Sequence, residues 1–510
     1  MLTKDRPSSI SEPRTSESGS LKARYVSAAF YSGLGGGLNQ MLYGLTPIIV
    51  ARYLGPHNYG IYSLIMSLTG MVVAIFSLGQ NSALHKLLPE YSVRDPRAGG
   101  AILANVLLFT SVALIVVCAV FFGVSEQVAV HVYRDRSLNG IFQVCAPMML
   151  LLALFNLAGS AVAGMQDFKA YHQILLARNL ALIAAAWLGV RLWGLPGAVG
   201  AQLLAGLGGL ICMVIRTRQL AAERFPATES PIFSRRILKI VFSFVLPTLL
   251  VTMLNIPVYW WANTMVARTA GFEQAGLFGA AYTIAQWITI VPISLYPVIM
   301  TYTSEAQSAA TAEFFSGLVS GNLRLVWSLT LPIAVVCAIL APISLRLLYG
   351  PAYAGAGPLV FVLSFTAVLM VVIGLINTVI AASGRMWHGL GITLGWALIL
   401  VLACLFMIPR WGAAGSSIAF AVSHLVYLAG GCLYLRWAML VECAGAGRLL
   451  VLTLLGFAAA LPCTLADSAL ATSLLGGLLL LAIVAAEWRW VYGTEERLAF
   501  RRLAANFLER

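Results

Sequence analysis

Apolar stretches long enough to cross a hydrocarbon core of about 30 Å recur from Tyr25 almost to the end of the chain, with short polar or charged breaks between them. This pattern constrains the fold more than any other feature, because in lipid every backbone polar group must find its partner inside the protein. Only helices or a closed barrel achieve that, and no period-2 stretch is long enough for a barrel. A chain of 510 residues that is 60% hydrophobic and 10% charged also carries too much apolar surface for one water-soluble core. The sequence therefore reads as an all-α polytopic membrane protein with about 14 transmembrane helices.

Residues 1–24 are the exception, being rich in Ser, Pro and charge, and are expected to form a disordered cytoplasmic tail. With no small-residue cleavage site after it, the first span, roughly residues 25–50, reads as a retained signal-anchor. The eight cysteines lie almost wholly within apolar spans and form no CxxC pair, so packing is expected of them, with no metal and no cofactor.

The formal charge of +13 would suit nucleic acid, but no basic cluster is interleaved with exposed aromatics. The basic residues instead alternate from break to break. Lys86, Arg94 and Arg97, then Lys169, then Arg216, Arg218, Arg224, Arg235, Arg236 and Lys239, then Arg324, Arg385, Arg436 and Arg448 fall in every second break. By the positive-inside rule these breaks are cytoplasmic, which puts both termini there in a multi-pass inner-membrane topology.

Sliding the sequence against itself reveals a repeat. At a shift of 216 residues, Leu38, Asn39, Tyr43, Val50, Ala51, Arg52, Gly55 and Gly60 match Leu254, Asn255, Tyr259, Val266, Ala267, Arg268, Gly271 and Gly276 without a gap. Lys169 and His172 match Arg385 and His388, and two residues further on in register Trp193-Gly194 and Gly197 match Trp411-Gly412 and Gly415. An even number of spans separates the copies, so the expectation is two parallel six-helix lobes about a pseudo-twofold along the membrane normal, plus two C-terminal helices. The domains are then a tail (1–24), an N-lobe of helices 1 to 6 (25–216), a cytoplasmic linker (217–236), a C-lobe of helices 7 to 12 (237–437), the extra pair (438–492) and a basic cytoplasmic tail (493–510).

Three stretches carry a family resemblance. They are Ala51-Arg52-Tyr53-Leu54-Gly55-Pro56 through Tyr59-Gly60-Ile61-Tyr62-Ser63-Leu64; Ala275-Gly276-Leu277-Phe278-Gly279-Ala280-Ala281-Tyr282 with Tyr296-Pro297 and Ser304-Glu305; and Leu347-Leu348-Tyr349-Gly350-Pro351-Ala352-Tyr353 through Ala382-Ser383-Gly384-Arg385 to Ile408-Pro409-Arg410-Trp411-Gly412. In their order and spacing they resemble the polysaccharide-transport, or O-antigen flippase, branch of the multidrug, oligosaccharidyl-lipid and polysaccharide exporter superfamily. The resemblance implies a non-enzymatic, alternating-access flippase. Its cargo would be undecaprenyl-diphosphate-linked oligosaccharide for cell-surface polysaccharide such as lipopolysaccharide. Membrane lipids, a coupling H+ or Na+, and polysaccharide polymerase and chain-length machinery would be its partners. Where such relatives often carry an acid in the seventh span this chain has Asn263, which leaves ion coupling there open.

Such cargo needs a cation for the diphosphate, amides and aromatic faces for sugars, and an apolar path for the tail. Arg178 is the sharpest candidate, about 12 Å into the fifth span, where it either faces a wet cavity or snorkels to the interface. Arg52 and Arg268 occupy matching outer helix ends and Arg24 the inner mouth of the first span; each reads as a gate cation or as a headgroup anchor. Asn39 and Asn255 line the cavity or hold helices together. Gln40, Gln286 and Asn377 are further polar residues within spans, and Trp260 with Trp261 stack on sugars or belong to the interfacial belt. Glu90 and Glu305 read as coupling carboxylates or surface partners of nearby cations. Gly33-Leu34-Gly35-Gly36-Gly37 lacks the strand and Lys-Ser/Thr of a phosphate loop, and suits close helix contact or a bend.

Two rivals follow from the same residues. A cation-coupled multidrug exporter would need an acid inside a span, and the first six spans offer none. A membrane polysaccharide polymerase or ligase would need a large outward loop. The longest outward break, near Ser125 to Gly140, offers Glu126, His131, Arg134, Asp135 and Arg136.

Overall fold

The computed structural model describes the backbone over residues 15–225, 256–293, 312–441, 445–464 and 469–492, with a few isolated positions between, and most side chains from Gly35 onward within those ranges. Among the described residues the regular structure is helical, without strands. Eleven helices carry the fold. In the first half they are α1 (Thr15–Arg94), α2 (Pro96–Gly123), α3 (Asn139–Gly164) and α4 (Phe168–Arg224). The second half holds α5 (256–270), α6 (Phe272–Ile293), α7 (Ala312–Ile339), α8 (Gly357–Ala382) and α9 (Met386–Ala438). The final pair is α10 (Ala446–Thr464) and α11 (Ala469–Trp490).

α1, α4 and α9 each fold back on themselves, so these eleven helices make fourteen legs, the number that the apolar pattern predicts. The reversal in each rests on one residue. Gly55 (φ 70°, ψ 170°), Gly194 (φ 60°, ψ −133°) and Gly412 (φ 53°, ψ −129°) break otherwise continuous helices. A residue with a Cβ is strained at such φ, and glycine is not. Pro56 and Pro196 then open the second legs, where a missing N–H costs nothing. The turn in α4 therefore lies at Gly194. Gly197 serves a different purpose: a Cβ there would lie 1.9 Å from the carbonyl oxygen of Gly189, so its bare Cα lets the two legs touch.

The duplication extends well beyond the matched residues. α2 and α7 are both 28 residues long, and α3 and α8 both 26. Between α2 and α3, and again between α7 and α8, the chain makes a single helical turn, then a π-helix (Val128–Val132 or Leu345–Tyr349), then a 3-10 helix (Arg136–Leu138 or Pro351–Ala356). α1 to α4 form the N-lobe, α5 to α9 the C-lobe, and α10 and α11 pack on α7 outside the repeat. Outward-facing Leu192, Leu204, Leu402 and Leu478 are exposed, as a lipid-facing belt requires.

Two local expectations meet a different outcome. α1 begins at Thr15, so the helix reaches ten residues into the segment expected to be a disordered tail, through the helix-forming run Leu21-Lys22-Ala23-Arg24. The glycine run at 33–37 keeps helical backbone angles and does not unwind α1, which departs from them at Gly55. Close contact is its purpose instead, since a Cβ on Gly35 would lie 2.9 Å from Cγ of His172 on α4.

Asp167 anchors both legs of α4. It caps the first by accepting from the Ala170 N–H at 3.1 Å, and it accepts from Nε of Arg216 on the second at 2.8 Å. Asp167→Ala is expected to lower stability by roughly 2–3 kcal/mol, and Asp167→Asn, which keeps a capping oxygen, by about 1 kcal/mol less. Thermal unfolding in detergent micelles checks the ranking.

Candidate functional site

A cavity of about 410 Å³ opens inside the N-lobe, between both legs of α1, α3 and the first leg of α4. Its polar lining comprises Asn39, Gln40, Tyr43, Thr69, Asn156, Tyr171, His172, Arg178 and Asn179. Arg178 lies ten residues into α4, about 15 Å along the helix. It is 8% exposed, so it does not snorkel. Its guanidinium donates to Oδ1 of Asn179 at 3.3 Å and rests 4.9 Å over the Phe155 ring, while Nε is buried without a partner.

Neighbouring amides hold this cation in place. Asn39 donates to the Gly35 carbonyl at 2.7 Å and to the His172 carbonyl at 3.4 Å, tying α1 to α4. Asn179 in turn donates to the backbone and side-chain oxygens of Asn39 at 3.2 and 3.3 Å. Among the described residues no carboxylate lines the cavity. A buried guanidinium with spare donors and no acid beside it is costly unless an anion completes it.

A second cavity of about 180 Å³ lies between the lobes and shares Tyr43 and Met66 with the first. Tyr59, Tyr62, Gln202, Asn263 and Tyr282 line it, and Gln202 donates to the Tyr62 hydroxyl at 3.0 Å. Beyond it the lobes are sealed together at the end that carries Gly55. A Cβ on Gly60 would lie 1.8 Å from the Phe272 carbonyl oxygen, and one on Gly276 would lie 1.9 Å from that of Pro56, so the two helices meet backbone to backbone. Around this contact the Tyr353 hydroxyl donates to the Ala51 carbonyl at 2.9 Å, and Tyr59 packs edge-on against Tyr349 and Tyr353.

The other candidates are dispersed. Arg52 sits exposed in this seal and donates to the Leu347 carbonyl at 2.5 Å, whereas Arg268 is exposed on the matching helix end. Gln40 joins Asn39 and Arg178 in the N-lobe cavity. Gln286 donates to the Tyr282 hydroxyl at 3.2 Å, and Trp260 and Trp261 are half-buried against the core. Asn377 donates to the Tyr427 hydroxyl at 3.0 Å inside the C-lobe. Glu90 is exposed and lies 3.8 Å from Arg94, one turn along the same helix. The side chain of Arg24, Asn255 and Glu305 lie outside the described residues.

Among the described residues the C-lobe has no counterpart of the cation. In the register that pairs Gly194 with Gly412, Arg178 corresponds to Trp396, which is 2% exposed and packed among Tyr259, His424 and Tyr427. Sequence reasoning missed Asn179, His172, Tyr62 and Gln202. Only Asn179 carried a signal, standing beside the one cation of an apolar run.

The break at Ser125 to Gly140 satisfies several of its polar groups locally. Arg136 pairs with Glu126 at 2.6 Å, Asp135 caps Ser137, and His131 meets the Gln127 carbonyl. Burial pushes the Tyr133 hydroxyl above its ordinary range where it stacks on Phe142. The same fold recurs in the C-lobe, which marks a shared structural unit and not a catalytic insertion.

A family described as polysaccharide biosynthesis protein matches residues 26–304. The chain belongs to that family. A curated relative of this polysaccharide biosynthesis protein is the EPS I polysaccharide export inner membrane protein EpsE of Ralstonia nicotianae, 24% identical over 390 residues that make up 74% of this chain and 86% of the relative. EpsE of Ralstonia solanacearum is 22% identical, over 74% of this chain and 85% of its own length. Among solved structures, the lipid II flippase MurJ in an inward closed conformation superposes with a TM-score of 0.69 at 12% identity, over 90% of this chain and 99% of MurJ. An inward-facing multidrug resistance MATE family transporter of the MOP superfamily gives 0.68 at 15% identity, over 80% and 96%. At such identities the likeness concerns the fold. The chain is thus a polytopic all-α membrane protein of the polysaccharide biosynthesis family, built on the fold that it shares with these two solved structures.

Proposed function

We propose that the protein flips undecaprenyl-diphosphate-linked oligosaccharide units across the inner membrane by alternating access of its two lobes, supplying cell-surface polysaccharide. The observation that carries this reading is Arg178, a buried cation without an acid, in a cavity walled by amides and aromatic rings. A diphosphate supplies the missing acceptors, while Asn39, Gln40, Asn156 and Asn179 offer hydrogen bonds to sugar hydroxyls. In the orientation read from charge, the Gly60–Gly276 seal is periplasmic, so the lobes are closed outward and the cargo enters from the cytoplasm. Arg52 and Arg268 flank the exit.

A cationic-drug exporter is the poorer reading, because the described residues of the N-lobe cavity present a guanidinium and no carboxylate. In cells lacking the protein, lipid-linked oligosaccharide is expected to accumulate on the cytoplasmic leaflet, and reconstituted protein should move it across vesicle membranes. Export of cationic dyes with no movement of lipid-linked glycan would reverse the choice.

A further inference from the structure

Glu487 stands near the end of α11, 4% exposed, and together with Arg178 it makes up the buried side chains among the described Asp, Glu, Lys and Arg residues. One of its carboxyl oxygens, Oε1, is buried without a partner. It faces a cavity of about 260 Å³ whose walls come from α7 and α11, well away from the N-lobe cavity. On the opposite wall Ser328 is also buried, and its hydroxyl is likewise without a partner. Pro332, one turn further along α7, lacks the N–H that would have taken up the Ser328 carbonyl, so a third oxygen is freed at the same level. Two helices from different parts of the fold thus place a carboxyl, a hydroxyl and a bare carbonyl around one space.

Two of the cations nearby are committed elsewhere. On α10, Arg448 donates to the Trp490 carbonyl at 3.1 Å. Beyond α11, Arg497 donates to the carbonyls of Tyr492 and Arg489 at 2.9 and 2.8 Å. On α7, the stem of Arg324 packs along Gly445. Arg489 follows Glu487 on α11, and Glu313, the other acid on α7, is exposed near the start of that helix. Among the described residues no ion pair reaches Glu487. A carboxylate so placed is destabilising unless a cation joins it.

We propose that this cavity is a monovalent-cation site in which Glu487 and Ser328 hold a proton or a sodium ion between the C-lobe and the C-terminal helix pair. Oxygen donors alone suit a hard cation, and Trp488 and Tyr492, on the same wall, mark the polar boundary of the membrane, which leaves a short path to water. The site is independent of which cargo the N-lobe carries.

The full-length protein in liposomes, treated with dicyclohexylcarbodiimide and read by mass spectrometry, tests it, since this reagent modifies protonated carboxyls in apolar surroundings. Labelling at Glu487 is expected to fall severalfold from mildly acid to mildly alkaline pH. If added sodium protects Glu487 at fixed pH the ion is sodium, and if it does not the ion is a proton. Thermal unfolding supplies a second measurement. Wild-type stability should decline as rising pH strips the cation when sodium is absent, whereas Glu487→Gln, with no proton to lose, should hold level over the same range. Labelling that ignores both pH and sodium, or identical pH–stability curves for the two proteins, would overturn the proposal.

Discussion

Arg178→Ala is expected to abolish glycan flipping while the protein inserts and folds normally. Removing one partner of a buried, hydrogen-bonded charge pair costs roughly 2–5 kcal/mol of binding, a loss of at least about 25-fold in affinity for a diphosphate. The empty protein should behave oppositely. Its cavity holds a cation 8% exposed with an unpartnered Nε, so truncation relieves a desolvation cost and leaves the melting temperature unchanged or raised. Arg178→Lys keeps the charge but loses the planar fork, and intermediate activity should follow. The two readouts together separate a binding role from a structural one. Full flipping by Arg178→Ala would remove this residue from the site.

The second large effect is expected at the seal. A Cβ on Gly60 would meet the Phe272 carbonyl oxygen at 1.8 Å, and a Cβ on Gly276 that of Pro56 at 1.9 Å. Both obstacles are backbone, so no rotamer change can relieve them and the helices must separate. Gly60→Leu and Gly276→Leu should each cost about 1–3 kcal/mol through overpacking and deprive the protein of the state closed at this end. Transport is expected to stop. Spin labels on exposed Tyr53 and Arg268 should report a longer distance in either variant than in an otherwise unsubstituted labelled protein. Unchanged distances with normal transport would mean that this crossing does not gate the pathway.

The fold was legible because lipid leaves few choices: apolar length gives spans, and the match of Leu38 to Gly60 with Leu254 to Gly276 gives two lobes. The π-helical and 3-10 turns after α2 and α7 repeat just as faithfully, yet few side chains match there, since backbone geometry and burial, not identity, define them. Arg178 announced itself as a charge in an apolar run. His172 did not, because the sequence shows it only as one of the matched positions of the repeat, while in space it closes one wall of the cavity. Glu487 escaped for a related reason. It stands next to Trp488 and Arg489 near a span end, where a carboxylate ordinarily reaches water, and only the packing of α7 across it shows otherwise.

The mismatch between Arg178 and Trp396 has a bearing on how variants of this protein will behave. Half of the molecule is hollow and polar where its twin is filled with stacked rings, so equivalent substitutions will not produce equivalent defects. Changes in the first half should alter what is carried, and the same changes transplanted into the second should weaken the scaffold itself. A chimera made of two first halves would gain a second arginine-lined cavity and lose the solid jaw opposite the first one.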